Sequence, residues 1–373
     1  MKPRPMPFAA DFPPHIRALK PYVPGLPIED LARRLDMSAE RIAKLASNEN
    51  PLGPSPLAVQ ALAQAAPELA RYPDNDCTLL ARALSAALAV PADWVVAGAG
   101  SESVLGMAAA ALLAPGRKTV YAQYSFQAFV NAAQRVGAAP VVVPAPAYAV
   151  DLAALRAHIT DDVALAYLAN PGNPTGTRVQ AGELEAFLAD VPPHVVVVLD
   201  EAYREYLPQA VAGDAIAWVR RFPNLIVTRT FSKAYGLAGL RIGYGVAQPA
   251  LADMLRRVRA PFSVTQAAQV AAAAALADHA FLARTVAVND AGRAQLSAGF
   301  ARLGLRYLPS SANFVLVQVG DGADMGRRLE RHGLIVRPVG AYGLPGWLRV
   351  SVGTAEENAR LLAGLAAELA MAA

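Results

Sequence analysis

Short apolar runs alternate with longer alanine- and leucine-rich segments through the middle of the chain. The runs carry no polar alternation and lie at residues 94–96, 119–121, 140–143, 164–168, 195–199 and 225–228. Continuous apolar runs predict strands that helices cover on both faces, and their alternation with helical segments predicts parallel βαβ units. The pattern therefore predicts an α/β fold whose central sheet is buried and mostly parallel.

The pattern changes after Pro261. It predicts an alanine-rich helix over 264–276, a closing helix after Glu356, and strands at 313–317, 334–337 and 348–352. These elements indicate a smaller α/β C-terminal domain. We therefore predict three parts: a proline-rich N-terminal arm (1–45) that packs on the small domain, a large domain (46–275) and the small domain (276–373).

Charge and composition limit the possible partners. Lys plus Arg number 34 against 30 Asp plus Glu, a net charge of +4, which makes only a weak case for nucleic-acid binding. The longest apolar stretches, 104–115 and 270–277, are shorter than a membrane span. We expect neither nucleic acid nor membrane as a partner.

Cysteine usage bears on the compartment and on metal binding. The one cysteine, Cys77, excludes an intrachain disulfide and a cysteine metal cluster. This usage favours the reducing cytoplasm, and we expect no metal site.

A glycine loop, Gly98-Ala-Gly-Ser-Glu-Ser, follows a predicted strand and opens a predicted helix. It differs from the dinucleotide fingerprint in two places, because Ser103 replaces the third glycine and Gln123 stands where an acid for a ribose hydroxyl is needed. A nicotinamide dehydrogenase is therefore disfavoured. The backbone N–H groups of Gly100 and Ser101, at a helix N-terminus, still suit an anion.

Two further motifs follow predicted strands. In Asn170-Pro-Gly-Asn-Pro-Thr-Gly the prolines and glycines predict a rigid turn that fixes the Asn173 amide. The run 195–199 leads into Asp200, with Tyr203 three residues later. Because ligands of open α/β sheets bind outside the carboxyl ends of the strands, these side chains are candidate site residues.

Lys233 is one of five lysines and lies among small and apolar residues just past another strand. To act as a nucleophile near neutral pH, its pKa must fall by about three units from about 10.4. We expect burial and the cation of Arg241 to supply this fall. A lysine that forms an imine and an acid that keeps a pyridine nitrogen protonated together match pyridoxal phosphate. At about 3 Å and an effective dielectric near 20, that acid–pyridinium pair is worth roughly 5 kcal/mol before desolvation.

The ordered set of motifs resembles the class-II, fold-type-I pyridoxal-phosphate aminotransferases, and in particular the histidinol-phosphate aminotransferases. The resemblance covers nearly the whole chain. It rests on the Asn173-Pro-Thr-Gly turn and on Asp200-Glu-Ala-Tyr. It rests also on Pro21-Tyr-Val-Pro-Gly, Leu45-Ala-Ser-Asn-Glu-Asn-Pro-Leu-Gly-Pro, Arg71-Tyr-Pro-Asp, Ser232-Lys-Ala-Tyr-Gly-Leu-Ala-Gly-Leu-Arg and Leu348-Arg-Val-Ser-Val-Gly-Thr.

The resemblance implies three catalytic residues. Lys233 would be the Schiff-base lysine and proton shuttle, Asp200 would hold the pyridinium nitrogen, and Tyr203 would bond the ring's phenolic oxygen together with Asn173. Tyr124 would stack on the ring. The cofactor phosphate would be bound by the amides of Gly100, Ser101 and Glu102, by Ser232 and Arg241, and by Tyr72 of a neighbouring subunit. This last role implies a homodimer with shared active sites.

The implied substrates are anions. Arg349 and Arg337 would hold the phosphate of histidinol phosphate, and Arg349 would also take the carboxylate of glutamate. Tyr22 and Asn48 would close over the site. The implied reaction moves an amino group between L-glutamate and imidazole acetol phosphate, in histidine biosynthesis.

Two other functions compete with this interpretation. The stretch from Arg337 to Leu348 is also similar to relatives that transaminate phenylalanine or tyrosine, so an aromatic amino acid aminotransferase is the alternative. A ligand-sensing domain of a transcription regulator is disfavoured, because the segment before residue 47 holds too many prolines for a winged helix.

Overall fold

Two β-sheets organise the chain in this computed structural model, which describes residues 11–19, 21 and 25–371. In chain order the strands are β1 Ala43–Leu45, β2 Val95–Gly98, β3 Lys118–Ala122, β4 Ala139–Val143, β5 Val163–Ala169, β6 Val196–Asp200, β7 Leu225–Thr230, β8 Gly243–Val246, β9 Tyr307–Leu308, β10 Phe314–Gln318, β11 Leu334–Val339 and β12 Leu344–Ser351.

Helices surround both sheets. In chain order they are α1 Pro14–Arg17, α2 Ile28–Leu35, α3 Pro56–Ala65, α4 Thr78–Leu88, α5 Ser101–Leu112, α6 Gln127–Arg135, α7 Leu152–Ala157, α8 Ala181–Asp190, α9 Gln209–Ala212, α10 Ala215–Arg221, α11 Pro249–Val258, α12 Gln266–Leu276, α13 His279–Arg302, α14 Gly322–Glu330 and α15 Ala355–Ala370. Among the described residues no single helix is long and apolar enough to cross a membrane, and the pair α12 and α13 meets that test only across an 80° bend.

The large sheet has the strand order β2-β8-β7-β6-β5-β3-β4. Strands β3 to β7 pair in parallel, whereas β8 is antiparallel to both β7 and β2. Alternate residues of β6 enter two separate apolar clusters, with Val197 and Leu199 on one face and Val196 and Val198 on the other. The predicted buried, mostly parallel sheet is therefore confirmed, and its continuous apolar runs reflect burial on both faces.

Strand β4 differs from the prediction that helices cover both faces of every strand. It is the edge strand, and Val142 on it is 50% exposed. Pro140 lies in the same strand, where the missing N–H is tolerated because an edge strand needs fewer ladder hydrogen bonds. The predicted strand at 94–96 also shifts, because Trp94 closes a 3₁₀ turn and β2 begins at Val95.

The small sheet has the order β1-β11-β12-β10-β9. The arm supplies β1, which is parallel to β11, and the other pairs are antiparallel. Leu31 and Ala32 of α2 pack with Ile335 of this sheet, whereas α1 contacts α6 of the large sheet's layer. The division at residues 45 and 275 stays a prediction that these contacts support.

Helix caps account for two shifted boundaries. Helix α12 begins after Thr265, whose hydroxyl accepts from the Ala268 amide, rather than at 264. Helix α15 begins at Ala355 rather than after Glu356, because Thr354 and Glu357 form a capping box.

The C-terminal strands also differ slightly from their predicted bounds. The strand predicted at 313–317 runs from Phe314 to Gln318, and the one predicted at 348–352 starts earlier, at Leu344, and ends at Ser351.

Candidate active site

A cavity of about 880 Å³ opens at the carboxyl ends of β5, β6 and β7 and reaches the small sheet. Strand order explains its contents, because loops that follow neighbouring parallel strands meet at one edge of a sheet. The lining includes most of the predicted site residues: Asn48, Ser101, Glu102, Asn173, Asp200, Tyr203, Ser232, Lys233, Arg241, Arg337 and Arg349.

Asp200 ends β6 and is buried at the base of this cavity. Its carboxylate accepts hydrogen bonds from the Tyr167 hydroxyl and the Thr228 hydroxyl, both at 3.0 Å. Burial raises the pKa of Asp200 to about 6, and the two hydrogen bonds oppose that rise. The sequence prediction missed both partners, although Thr228 is the polar residue that ends a predicted strand.

Arg349 orients the amide of Asn173. Its guanidinium donates to Asn173 Oδ1 at 2.7 Å and to the Ala46 carbonyl at 2.6 Å. The Asn173 Nδ2 group then donates to the Tyr203 hydroxyl oxygen at 3.2 Å. Burial raises the pKa of Tyr203 to about 12, against opposing effects of Arg349 and the hydrogen bond from Asn48, so this phenol stays protonated at neutral pH.

The Lys233 amine donates to the Ser47 carbonyl at 3.1 Å. Burial, together with Arg349 and to a smaller extent Arg241, lowers the pKa of Lys233 to about 7, while Glu49 opposes this fall. The fall of the Lys233 pKa and its main cause, burial, agree with the sequence prediction. The larger cationic effect comes from Arg349, which only the fold brings near, and not from Arg241.

Gly100 forms a close-packed cradle with Arg241 at the N-terminus of α5. Gly100 has φ +80°, and a Cβ atom there would lie 2.8 Å from Arg241 Nη2. Arg241 also donates to the Ser232 hydroxyl at 3.4 Å. Because the first amides of a helix lack intrahelical partners, those of Ser101 and Glu102 are available to an anion beside this guanidinium.

Arg337 and Arg349 are cross-strand partners on β11 and β12. Residues directly opposite each other on antiparallel strands have Cβ atoms about 4.5–5.5 Å apart on one face. Both side chains line the cavity. The two arginines therefore lie side by side on neighbouring strands at this part of the cavity.

Three of the predicted site residues that the structure describes, Tyr72, Gly100 and Tyr124, do not line this cavity. Tyr124 instead lines a small adjoining cavity that includes Asn173, and its ring lies 5.7 Å from that of Tyr148. Tyr72 is 84% exposed and stacks on Phe262 at 4.9 Å. Tyr22 lies outside the described residues. The roles of Tyr22, Tyr72 and Tyr124 stay predictions.

A polar face of α6 was not predicted as part of the site. Gln127, Asn131 and Arg135 line the cavity opposite Ile16 and Leu19 of the arm. Their spacing of four residues places them on one helix face. That spacing is visible in the sequence, but nothing in the sequence shows that this face meets the arm.

Comparison with known proteins gives the family. Residues 40–365 match the family described as aminotransferase class I and II. The chain belongs to this family. The predicted family resemblance is therefore confirmed.

Curated aminotransferases match nearly the whole chain. It is 56% identical to histidinol-phosphate aminotransferase 2 of Ralstonia nicotianae, over 96% of this chain and 97% of that one. It is 54% identical to histidinol-phosphate aminotransferase 1 of Cupriavidus pinatubonensis, over 96% of both chains.

A solved aminotransferase shares the fold. The crystal structure of histidinol-phosphate aminotransferase from Sinorhizobium meliloti in complex with pyridoxal-5'-phosphate superposes with a TM-score of 0.89 at 31% identity. The superposition covers 98% of this chain and 100% of the other. The predicted fold type I is confirmed.

Proposed function

We propose that this aminotransferase moves an amino group between L-glutamate and imidazole acetol phosphate, giving 2-oxoglutarate and L-histidinol phosphate. The observation that carries the proposal is the pair of Arg337 and Arg349, opposite each other in the cavity that also holds Lys233. A phosphate monoester carries up to two negative charges and several acceptor oxygens, which suits the planar donor forks of two guanidinium groups. The names of the relatives support the same substrate.

The cavity residues fit pyridoxal phosphate. Gly100 makes the cradle that a Cβ atom would fill, and Arg241 and Ser232 border it. These groups, with the amides of Ser101 and Glu102, would hold the cofactor phosphate. When bound, this cofactor supplies an electron-withdrawing ring that stabilises negative charge on the substrate carbon that carries the amino group.

The chain's own residues would support that chemistry in three ways. The Asp200 carboxylate would stabilise a proton on the ring nitrogen. Tyr203 would donate its hydroxyl to the ring oxygen, with Asn173 beside it. Lys233, whose pKa is about 7, would take up and release a proton at Nζ near neutral pH.

The same pocket would serve both substrates. Arg349 would bind the carboxylate of glutamate in one half-reaction and, with Arg337, the phosphate ester in the other. Arg349 is buried and orients Asn173, so substrate binding would act on the same network that holds Tyr203.

A homodimer with shared sites is part of the proposal. Tyr72 and Phe262 form an exposed aromatic pair outside the cavity of their own chain, which supports a role for Tyr72 at the cofactor phosphate of a second copy. The cytoplasmic location stays a prediction from cysteine usage.

Half-reactions test the function. The pyridoxal-phosphate form is mixed with histidinol phosphate or with phenylalanine, and cofactor absorbance is followed. We expect a large preference for histidinol phosphate, because its phosphate ester would engage Arg337 and Arg349 together, whereas the carboxylate of phenylalanine would engage Arg349 alone. A large preference for phenylalanine would establish the aromatic aminotransferase instead.

A further inference from the structure

Asn48 joins the two sheets through hydrogen bonds to its backbone and side chain. It is 1% exposed and adopts φ +54°, a conformation that asparagine tolerates better than most residues. Its amide nitrogen donates to Ser351 Oγ at 2.8 Å, and its carbonyl accepts from Asn313 Nδ2 at 2.9 Å. Its side-chain Nδ2 donates to the Tyr203 hydroxyl at 2.9 Å.

These bonds fix the orientation of the Asn48 side-chain amide. The Ser351 hydroxyl accepts from the Asn48 backbone and donates to Asn48 Oδ1 at 2.9 Å. Because Oδ1 is held by Ser351, Nδ2 faces Tyr203. A flipped amide would take Oδ1, the acceptor of the Ser351 hydroxyl proton, away from Ser351, and would make the Tyr203 hydroxyl donate to Oδ1 instead of accepting from Nδ2.

The Tyr203 oxygen therefore accepts two hydrogen bonds, from Asn48 at 2.9 Å and from Asn173 at 3.2 Å. With both acceptor positions used, the hydroxyl proton is directed away from the two amides. Tyr203 lines the cavity, so the cavity is where that proton is donated.

We propose that Asn48 is a positioning residue that acts through Tyr203, aiming its hydroxyl proton at the ring oxygen of bound pyridoxal phosphate. The proposal replaces the substrate contact that the family resemblance implied for Asn48, and it rests on the proposed function. Ser351 ends β12 and Asn313 precedes β10. The position of the small sheet against the large one therefore determines whether the Tyr203 hydroxyl is correctly oriented.

The test uses the reconstituted holoenzyme and the pH at which the absorbance of bound cofactor changes. A hydrogen bond to the ring oxygen stabilises its negative charge and lowers the proton affinity of the nitrogen that Lys233 contributes. Asn48→Ala is therefore expected to raise that pH by about one unit, a tenfold change in proton affinity. Ser351→Ala, which frees the amide to turn, is expected to raise it by less.

A double-mutant cycle separates action through Tyr203 from a general effect. In a Tyr203→Phe background, Asn48→Ala is expected to cause no further shift, since the residue it acts through is gone. Asn358→Ala is the matched control, because Asn358 is a fully buried asparagine near the C-terminus whose side chain bonds Gly353 and Gln295. This variant is expected to lower thermal stability without shifting the pH at which the absorbance of bound cofactor changes.

Three results overturn the inference while leaving the proposed function intact. They are an additive shift in the double variant, an unshifted Asn48→Ala enzyme, and a change confined to the KM for histidinol phosphate.

If Asn48→Ala does not fold, Asn48→Asp keeps the size and the tolerance of positive φ, and its carboxylate draws the Tyr203 proton away from the cavity. The pH at which the absorbance of bound cofactor changes must then rise. If it does not rise, the inference is overturned. A wild-type protein that binds no pyridoxal phosphate overturns the proposed function itself.

Discussion

Arg337 and Arg349 lie directly opposite each other on antiparallel strands, with both side chains in one cavity. Like charges in this arrangement destabilise a sheet by roughly 0.2–1 kcal/mol. An anion between them removes that cost and gains charge-assisted hydrogen bonds. The proposed anion site would therefore offset a cost that the two strands carry.

Arg337→Gln is expected to raise the KM for histidinol phosphate roughly ten- to hundredfold, since a hydrogen bond to a charged group is worth about 1.5–3 kcal/mol. Steady-state kinetics measure the effect. Arg327→Gln removes an exposed arginine of α14 that pairs with Asp324, and should leave KM unchanged. An equal increase of KM in both variants would show that the overall charge, and not the position of the arginine, determines substrate binding.

Arg349→Lys keeps a positive charge but loses the planar fork. Both half-reactions are expected to slow by at least about tenfold, because the variant loses one charge-assisted bond to each substrate and the bond that orients Asn173. Single-turnover absorbance measures each half-reaction separately. A defect in only one of them would refute the shared pocket.

Gly100→Ala is expected to weaken pyridoxal phosphate binding at least about tenfold, because the new Cβ would displace Arg241 and strain a residue at φ +80°. Gly106→Ala, in the helix that Gly100 precedes, is the control, since a Cβ there meets nothing within 4 Å. Cofactor titration into apoenzyme gives both affinities. A normal affinity in the Gly100 variant would remove this cradle from the phosphate site.

The low pKa of Lys233 predicts how cofactor loading depends on pH. The neutral amine is the nucleophile, and with a pKa of about 7 its fraction falls about tenfold per pH unit below that value. The second-order rate of pyridoxal phosphate attachment to apoenzyme should therefore rise with pH and level off above about 7. A rate that keeps rising toward pH 10 would mean that the amine is not buried as described.

The same shift predicts a pH-dependent contribution to stability. Unfolded lysine holds its proton up to about pH 10.4, so between about pH 7 and 10.4 the unfolded state binds more protons and stability gains with rising pH. Below about pH 7 the cost of burying Lys233 is present in full. The stability advantage of apo Lys233→Met over wild type should therefore shrink across this window in denaturant titrations.

Several parts of the site could be predicted because each lies at a strand end. Asp200, Asn173 and Lys233 follow three runs whose apolar pattern alone predicts buried parallel strands, and parallel strands bring their carboxyl ends to one edge. Glycine and proline in the intervening loops indicated where the chain turns.

Other parts depend on register and packing, which no single run of sequence contains. The pairing of Arg337 with Arg349 requires the register of β11 on β12, and that register shifts between Pro338 and Val339. The effect of Arg349 on Lys233 requires the two sheets to meet. The ring of Tyr124 contacts that of Tyr148, which comes from a later part of the chain.

The most direct test of the account is borohydride reduction of reconstituted protein, followed by peptide mapping. The account predicts one pyridoxyl adduct, on Lys233, and none on the lysines at 2, 20, 44 and 118. An adduct on another lysine, or no adduct in freshly reconstituted protein, would contradict it.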